Sequence, residues 1–136
     1  MDKVVEFTKS DSFEMIFVFL IGAFGYGLLE LFWRGKTHYS MLITGGLCFF
    51  VIYFFNLRFA DKSLIFKCLA AMAVITALEL LAGIVVNKIF SLRVWDYSDL
   101  PYNFMGQICL LYSTFWFCLG LPLAYIVPAL RRFIMW

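Results

Sequence analysis

Hydrophobic residues occur in four long runs that are separated by polar connections. A helix that crosses the hydrocarbon core of a bilayer needs about 20 consecutive, mostly apolar residues, and each run meets that length. The runs predict four transmembrane helices, at about residues 13–33, 39–57, 64–90 and 103–127. We therefore expect an all-α integral membrane bundle that forms a single domain over residues 1–136.

Local signals mark the beginning of the first and fourth predicted helices. Asp11, followed by Glu14 three residues later, is typical of an N-cap with a capping box. Asp99 and Pro101 are typical of a helix that begins near Asn103, because an acidic or Asn/Ser-type cap and an early Pro are well tolerated there.

The distribution of Lys and Arg predicts the orientation of the bundle. With both termini on one side, that side carries seven basic residues and the opposite side carries four. Since cytoplasmic connections are enriched in basic residues, we expect a cell-membrane protein with cytoplasmic termini. The longer connection, residues 91–102, then lies outside, where Trp95 and Tyr97 are expected at the membrane interface. The seven are Lys3, Lys9, Arg58, Lys62, Lys67, Arg131 and Arg132, and the four are Arg34, Lys36, Lys88 and Arg93.

The composition agrees with this class and argues against several others. The chain is 64% hydrophobic and only 15% charged, whereas soluble domains carry about 25% charged residues. A net charge of +2 without a basic run argues against a nucleic-acid partner. Four separated cysteines and one histidine predict neither a metal site nor another cofactor. No GxSxG, P-loop, HExxH or GxGxxG motif is present, so we do not expect an enzyme.

Glu79 is the clearest candidate for a functional residue within a span. It lies near the middle of the third run, on a helical stripe with Thr76, Gly83 and Asn87 that should face the bundle. An ionisable group in hydrocarbon is costly unless it is paired, neutral or hydrated, so it marks a functional-site hypothesis. The alternative is a structural role, in which a neutral Glu79 belongs to a fixed hydrogen-bond network.

A second group of polar residues is predicted at the outer end of the bundle, above Glu79. Glu30 and Arg34 are spaced as a favourable i,i+4 pair. Histidine commonly serves as a ligand or proton relay, although an interfacial anchor is the simpler role for His38. The remaining candidates are Asn87, Asp96, Asp99, Asn103 and Gln107.

Two stretches of the sequence resemble a known family. Residues 30–46, ELFWRGKTHYSMLITGG, and residues 95–110, WDYSDLPYNFMGQICL, are similar to signatures of the bacterial "putative ABC-transporter type IV" family, also called CmpB-like. The resemblance extends over roughly residues 20–132 and implies a small polytopic membrane protein. It also implies a site composed of Glu30, Arg34, His38, Trp95, Asp96, Asn103 and Gln107.

Together these features predict a transporter or channel-like protein that binds a small polar or cationic solute in the outer half of the bundle, with Glu79 at the floor of the site. The bundle has little interior of its own at 15.8 kDa, so we expect a homo-oligomer in the lipid bilayer. Two alternatives remain open. The protein could be an accessory subunit of a larger membrane complex, or a membrane-embedded enzyme that acts on a lipid-linked substrate through Asp96, Asp99 or His38.

Overall fold

The computed structural model describes residues 9–135. Four of its helices are long and apolar enough to cross a membrane, which confirms the predicted all-α class and makes the chain a multi-pass membrane protein. Lys3, one of the residues used to predict the orientation, lies outside the described residues. The elements are α1 (Lys9–Arg34), α2 (Tyr39–Arg58), α3 (Leu64–Gly83), a π-helical turn (Ile84–Ile89), strands β1 (Asn103–Phe104) and β2 (Ile108–Cys109), and α4 (Leu110–Ile134).

Side-chain caps explain where α2 and α3 begin. His38 has an extended backbone, and its Nδ1 accepts a hydrogen bond from the backbone N–H of Ser40 at 3.2 Å. Ser63 does the same for α3, because its Oγ accepts from the N–H of Phe66 at 3.2 Å. Each cap satisfies one of the backbone donors that a helix start leaves without a partner.

The predicted starts of the first and fourth helices were wrong. The first helix already includes Lys9, where the described residues begin, so Asp11 lies within the helix and is not its N-cap, and the carboxylate of Glu14 accepts a hydrogen bond from Tyr53 instead of completing a capping box. The fourth helix begins at Leu110 and not near Asn103, because residues 103–109 form β1, a tight turn and β2. Asn103 and Gln107 are therefore not one helical turn apart.

The helix α2 is central to the bundle. It shares one apolar cluster with α1 and α4, in which Val18, Tyr53 and Val127 are completely buried. On its other side Cys48 and Ile52 pack against α3. Over half of its apolar window is buried inside the protein, against 17–28% for the other spans. The other helices therefore expose most of their apolar surface, as expected where lipid is the solvent.

Glycine allows the helices to approach closely within this chain. A Cβ on Gly22 of α1 would collide with the Cβ of Phe49 and lie 3.0 Å from the carbonyl oxygen of Gly45, both on α2. On the opposite side of the bundle, a Cβ on Gly120 of α4 would lie 2.8 Å from the Cα of Cys68 on α3. Both positions fit the use of small residues at helix contacts in membranes.

We call the connection between the π-helical turn and α4 the outer connection, and its end of the bundle the outer end, after the predicted orientation. The outer connection packs against the side of the bundle. Gln107 packs on Gly83, the last residue of α3, with the whole π-helical turn Ile84–Ile89 following it in the chain. The strands pair Asn103 with Cys109 and Phe104 with Ile108. Irregular backbone at this depth requires internal hydrogen-bond partners, and the N–H of Tyr97 finds one in the carbonyl of Gly106 at 2.7 Å.

Candidate functional site

Glu79 is buried in the middle of the bundle, with 3% of its surface exposed. Its Oε1 accepts a hydrogen bond from the hydroxyl of Tyr97 at 2.7 Å, and its Oε2 accepts from the indole N–H of Trp116 at 3.0 Å. Both donors are neutral, and the ion pairs found among residues 9–135 do not include Glu79. The carboxyl therefore keeps free lone pairs and has no cationic partner in the described chain.

Tyr97 reaches Glu79 because a small polar network holds the outer connection in place. The Oε1 of Gln107 accepts from the side-chain amide of Asn87 at 2.7 Å, and the Oδ1 of Asn87 accepts from the N–H of Val94 at 2.7 Å. Trp95, which is 5% exposed, donates its indole N–H to the carbonyl of Gln107 at 3.0 Å. This network brings together Asn87, Trp95 and Gln107, and it holds the connection so that Tyr97 reaches Glu79.

Burial of Tyr97, followed by the neighbouring charge of Glu79, raises the pKa of the phenol well above its ordinary value. Tyr97 therefore remains a hydrogen-bond donor at neutral pH. Its ring stacks on Tyr112 of α4 at a centroid distance of 4.7 Å. The sequence led us to expect Trp95 and Tyr97 as interfacial anchors, but the structure buries the first and aims the second at Glu79.

Two adjoining cavities lie between α1 and α4, and we refer to them together as the α1–α4 cleft. The first has a volume of about 360 Å³ and has Glu79 on its wall. The second, of about 310 Å³, lies nearer the outer end and includes Glu30, Arg34 and Trp95. The two share five residues of α1, α2 and α4, namely Tyr26, Leu29, Met41, Trp116 and Leu119.

Glu30 and Arg34 form the ion pair expected from their spacing, with 3.2 Å between Nη2 and Oε1. Arg34 also donates to the carbonyl of Val94 at 3.3 Å, which links α1 to the outer connection. Since Glu30 is buried and already paired with Arg34, the charges in the second cavity largely cancel. Glu79, on the wall of the first cavity, has no such cationic partner among the described residues.

Five predicted site residues line neither cavity: Asn87 and Gln107, described above, and His38, Asp96 and Asn103. His38 caps α2, and its Nδ1 lies 2.7 Å from the hydroxyl of Ser40. Asp96 is exposed and accepts from the hydroxyl and the N–H of Ser98, which lowers the pKa of its carboxyl. The side chain of Asn103 donates to the carbonyl of Leu100 at 2.8 Å and accepts from the N–H of Gly106 at 3.1 Å. These side chains shape helix ends and turns.

The aromatic side chains around Glu79 were missed by the sequence reasoning. Tyr26 of α1 lies 6.2 Å from Trp116, and Trp116 lies 6.3 Å from Tyr112, measured between ring centroids. With 28 aromatic residues in 136, at 21% of the chain, no local pattern distinguishes these rings from those that face lipid. A four-residue spacing of Tyr112 and Trp116 on one helical face was the available signal.

A third buried carboxylate, in addition to Glu79 and Glu30, lies at the opposite end of the bundle. Glu14, 2% exposed, accepts from the hydroxyl of Tyr53 at 2.9 Å and from the guanidinium of Arg131. This ion pair connects the beginning of α1 to the end of α4, where Phe17 also stacks on Phe133. Glu14 is thus neutralised by a cation, in contrast to Glu79.

Comparison with known proteins identifies the family. The model of the family described as "Putative ABC-transporter type IV" matches residues 36–136, about three quarters of the sequence. The chain belongs to this family. No curated protein and no solved structure matches the chain.

The family match includes most of the site. Glu79, Tyr97, Gln107 and Trp116 fall within the matched residues, and the family description makes this a transporter-related membrane protein. The resemblance noted from the sequence is confirmed over residues 36–136. Glu30 and Arg34 lie before the matched range, so their place in the site depends on the geometry of the cleft alone.

Proposed function

We propose that this protein is a small membrane transporter or channel-like protein that binds a small polar or cationic solute in the outer half of the bundle. The proposal depends above all on Glu79, a buried carboxyl on the wall of a cavity that no basic residue of the described chain lines. Charge attraction is far stronger at low dielectric than in water, so this position favours a cation. An ionisable group within a span commonly marks a solute pathway.

In this proposal the candidate residues have different roles. Glu79 contacts the solute, and Glu30 and Arg34 line the second cavity, which adjoins the one at Glu79. Asn87, Trp95 and Gln107 position the outer connection, so that Tyr97 covers Glu79. His38, Asp96 and Asn103 act at the outer rim by fixing the helix end and turns that surround the entrance.

The proposal is tested by a thermal-shift screen of the purified, detergent-solubilised chain against ions and small metabolites. A specific solute stabilises the folded state by mass action. The stabilisation should be absent in Glu79→Gln and retained in Asp61→Asn, which makes the same charge change on the exposed α2–α3 connection. Stabilisation that is equal in the wild type and Glu79→Gln would remove Glu79 from the site.

A second candidate is an accessory or assembly subunit of a larger membrane complex. The family description favours it, because it names an ABC transporter whereas this sequence contains no P-loop for a nucleotide. This function predicts that another membrane protein co-purifies at fixed stoichiometry with the tagged chain. Purification of the chain alone, in a form that still binds its solute, would exclude it.

We also propose that the protein is not an enzyme and that it works as a homo-oligomer. An enzyme for a lipid-linked substrate would need a nucleophile and a base within hydrogen-bond reach. Among the described residues, the partners of His38 and Asp96 are nearby serines, which fix local turns. The oligomer would enlarge the small interior of one bundle, and size-exclusion chromatography with light scattering tests it by the mass of the protein in the detergent complex.

A further inference from the structure

The first cavity has the chemistry of a site for a lipophilic organic cation. Apart from Glu79 its lining is aliphatic and aromatic, with small polar contributions from Tyr26, Thr44 and the indole of Trp116. The hydroxyl of Thr44 is already used, since it donates to the carbonyl of Ser40 at 2.8 Å. A ligand that fills this space needs a single positive charge and a large apolar surface.

Aromatic rings surround the carboxyl of Glu79 on several sides. Tyr97 and Trp116 donate to its two oxygens, Tyr112 stacks on Tyr97 at 4.7 Å, and Tyr26 lies 6.2 Å from Trp116. Ring faces attract a cation through their quadrupole, and groups of such rings recognise quaternary ammonium groups. A carboxylate among aromatic rings therefore combines two attractions for the same kind of charge.

A divalent metal cation is a poor match for this cavity. Ca²⁺ and Mg²⁺ take six or more oxygen ligands, whereas Glu79 is the one carboxylate on the wall of the first cavity among the described residues. The nearest second carboxylate in the cleft, Glu30, is already paired with Arg34 at 3.2 Å. An organic cation carries its own shell of carbon atoms and needs no set of oxygen ligands.

The cleft reaches the surface of the bundle that faces lipid. Leu29 of α1 and Ile126 of α4 line it and are 53% and 47% exposed. On the α1 side, nothing lies within 4 Å of the position that a Cβ on Gly25 would take. A solute dissolved in the bilayer could enter sideways between α1 and α4, a route that suits an apolar molecule and excludes a hydrated ion.

From these observations we infer that the α1–α4 cleft binds a monovalent lipophilic organic cation, such as a quaternary ammonium or phosphonium compound. The cation enters from the bilayer and is held by the carboxyl of Glu79 and by four aromatic rings, those of Tyr26, Tyr97, Tyr112 and Trp116. The inference rests on the proposed function and names the solute class for the same site. A cavity of about 360 Å³ is within the range of sites for drug-sized ligands, roughly 300–1,000 Å³.

The test is equilibrium binding of tetraphenylphosphonium to the purified full chain in detergent, compared with tetraphenylborate, which has the same shape and the opposite charge. The cation should bind, and Glu79→Gln should raise its Kd by about tenfold or more. Trp116→Leu and Tyr26→Leu should also weaken binding, whereas Tyr125→Leu, which removes an exposed ring outside the cleft, should not. Tetraphenylborate should show no binding that depends on Glu79.

Other outcomes separate this inference from the function on which it rests. If tetraphenylphosphonium binds equally to the wild type, Glu79→Gln and Trp116→Leu, it is dissolved in the detergent or on the apolar surface, and the inference is overturned. If an inorganic or strongly hydrophilic cation binds in a Glu79-dependent manner and tetraphenylphosphonium does not, the inference fails and the proposed function stands. If no cation binds in a Glu79-dependent manner, both fail.

Discussion

At the scale of single residues, two buried carboxyls in the same bundle have opposite surroundings. Glu14 is paired with the guanidinium of Arg131, whereas Glu79 accepts hydrogen bonds from a phenol and an indole. A buried charge is stable when a counter-charge and hydrogen bonds accompany it. The charge of Glu14 is therefore balanced within the protein, whereas Glu79 can still pair with a cationic ligand.

Two substitutions of Glu79 distinguish the effect of its hydrogen bonds from the effect of its charge. In Glu79→Gln the amide oxygen accepts from Trp116 and the amide nitrogen donates to the hydroxyl of Tyr97, so both partners stay hydrogen-bonded. In Glu79→Leu both lose their partner, at a cost of about 1–3 kcal/mol for each buried polar group left unpaired. We expect the free energy of unfolding in mixed micelles to change little for Gln and to fall clearly for Leu. Equal stability of the two variants would mean that these hydrogen bonds are not formed.

The pair of Glu14 and Arg131 gives a second comparison at this scale. Arg131→Gln removes the cation and leaves a buried carboxylate, which should lower stability by about 2 kcal/mol, a typical value for a hydrogen bond to a charged group. The guanidinium is partly exposed, so the cost should be below that of a fully buried pair. The control is Arg132→Gln, the same change one residue later, outside the ion pairs of the described chain. Similar melting temperatures of the two variants would contradict the pairing.

At the scale of elements, the position of each glycine determines whether it matters for packing. Gly22 faces the backbone of α2, so an added methyl group has nowhere to move. Gly27 faces the tip of the flexible Leu42 side chain, which can turn away. Gly25, on the same helix, faces the open cleft. These three glycines lie close together in the sequence, but each has different surroundings in the structure.

Gly22→Ala and Gly25→Ala form a matched pair for this packing. Gly22→Ala forces α1 and α2 apart and should lower the melting temperature of the detergent-solubilised protein, since overpacking typically costs about 1–3 kcal/mol. Gly25→Ala makes no new contact and should leave it unchanged or slightly higher, because Ala favours a helix over Gly by roughly 0.5–1 kcal/mol. The reverse order would show that the α1–α2 contact differs from the one described.

At the scale of the whole molecule, the orientation predicted from the basic residues can be tested at exposed positions. Tyr97 is unsuitable for a labelling probe because it is directed at Glu79, whereas Tyr102 in the same connection is 82% exposed. In a background without the native cysteines, Tyr102→Cys should react with an impermeant maleimide from outside intact cells. Asp61→Cys, on the opposite side of the bundle, should react only after permeabilisation. The opposite labelling pattern would place the termini outside.

The number of spans, the approximate limits of the first three and the carboxyl within the third were predictable from the sequence alone. Hydropathy and length are local properties, and the bilayer imposes a length of about 20 residues on each spanning helix. The family resemblance also came from contiguous stretches, at residues 30–46 and 95–110, and it is confirmed within residues 36–136.

The surroundings of Glu79 were not predictable from the sequence, because they depend on how distant segments pack together. Tyr97 and Trp116 lie 18 and 37 residues away along the chain, so no local pattern connects them to the carboxyl. In a membrane protein, apolar and aromatic side chains face lipid as readily as the interior, and hydropathy therefore does not reveal which face of a helix lines a cleft. The start of α4 also depends on packing between distant segments. Gln107 packs on Gly83, and this contact keeps residues 103–109 out of the helix.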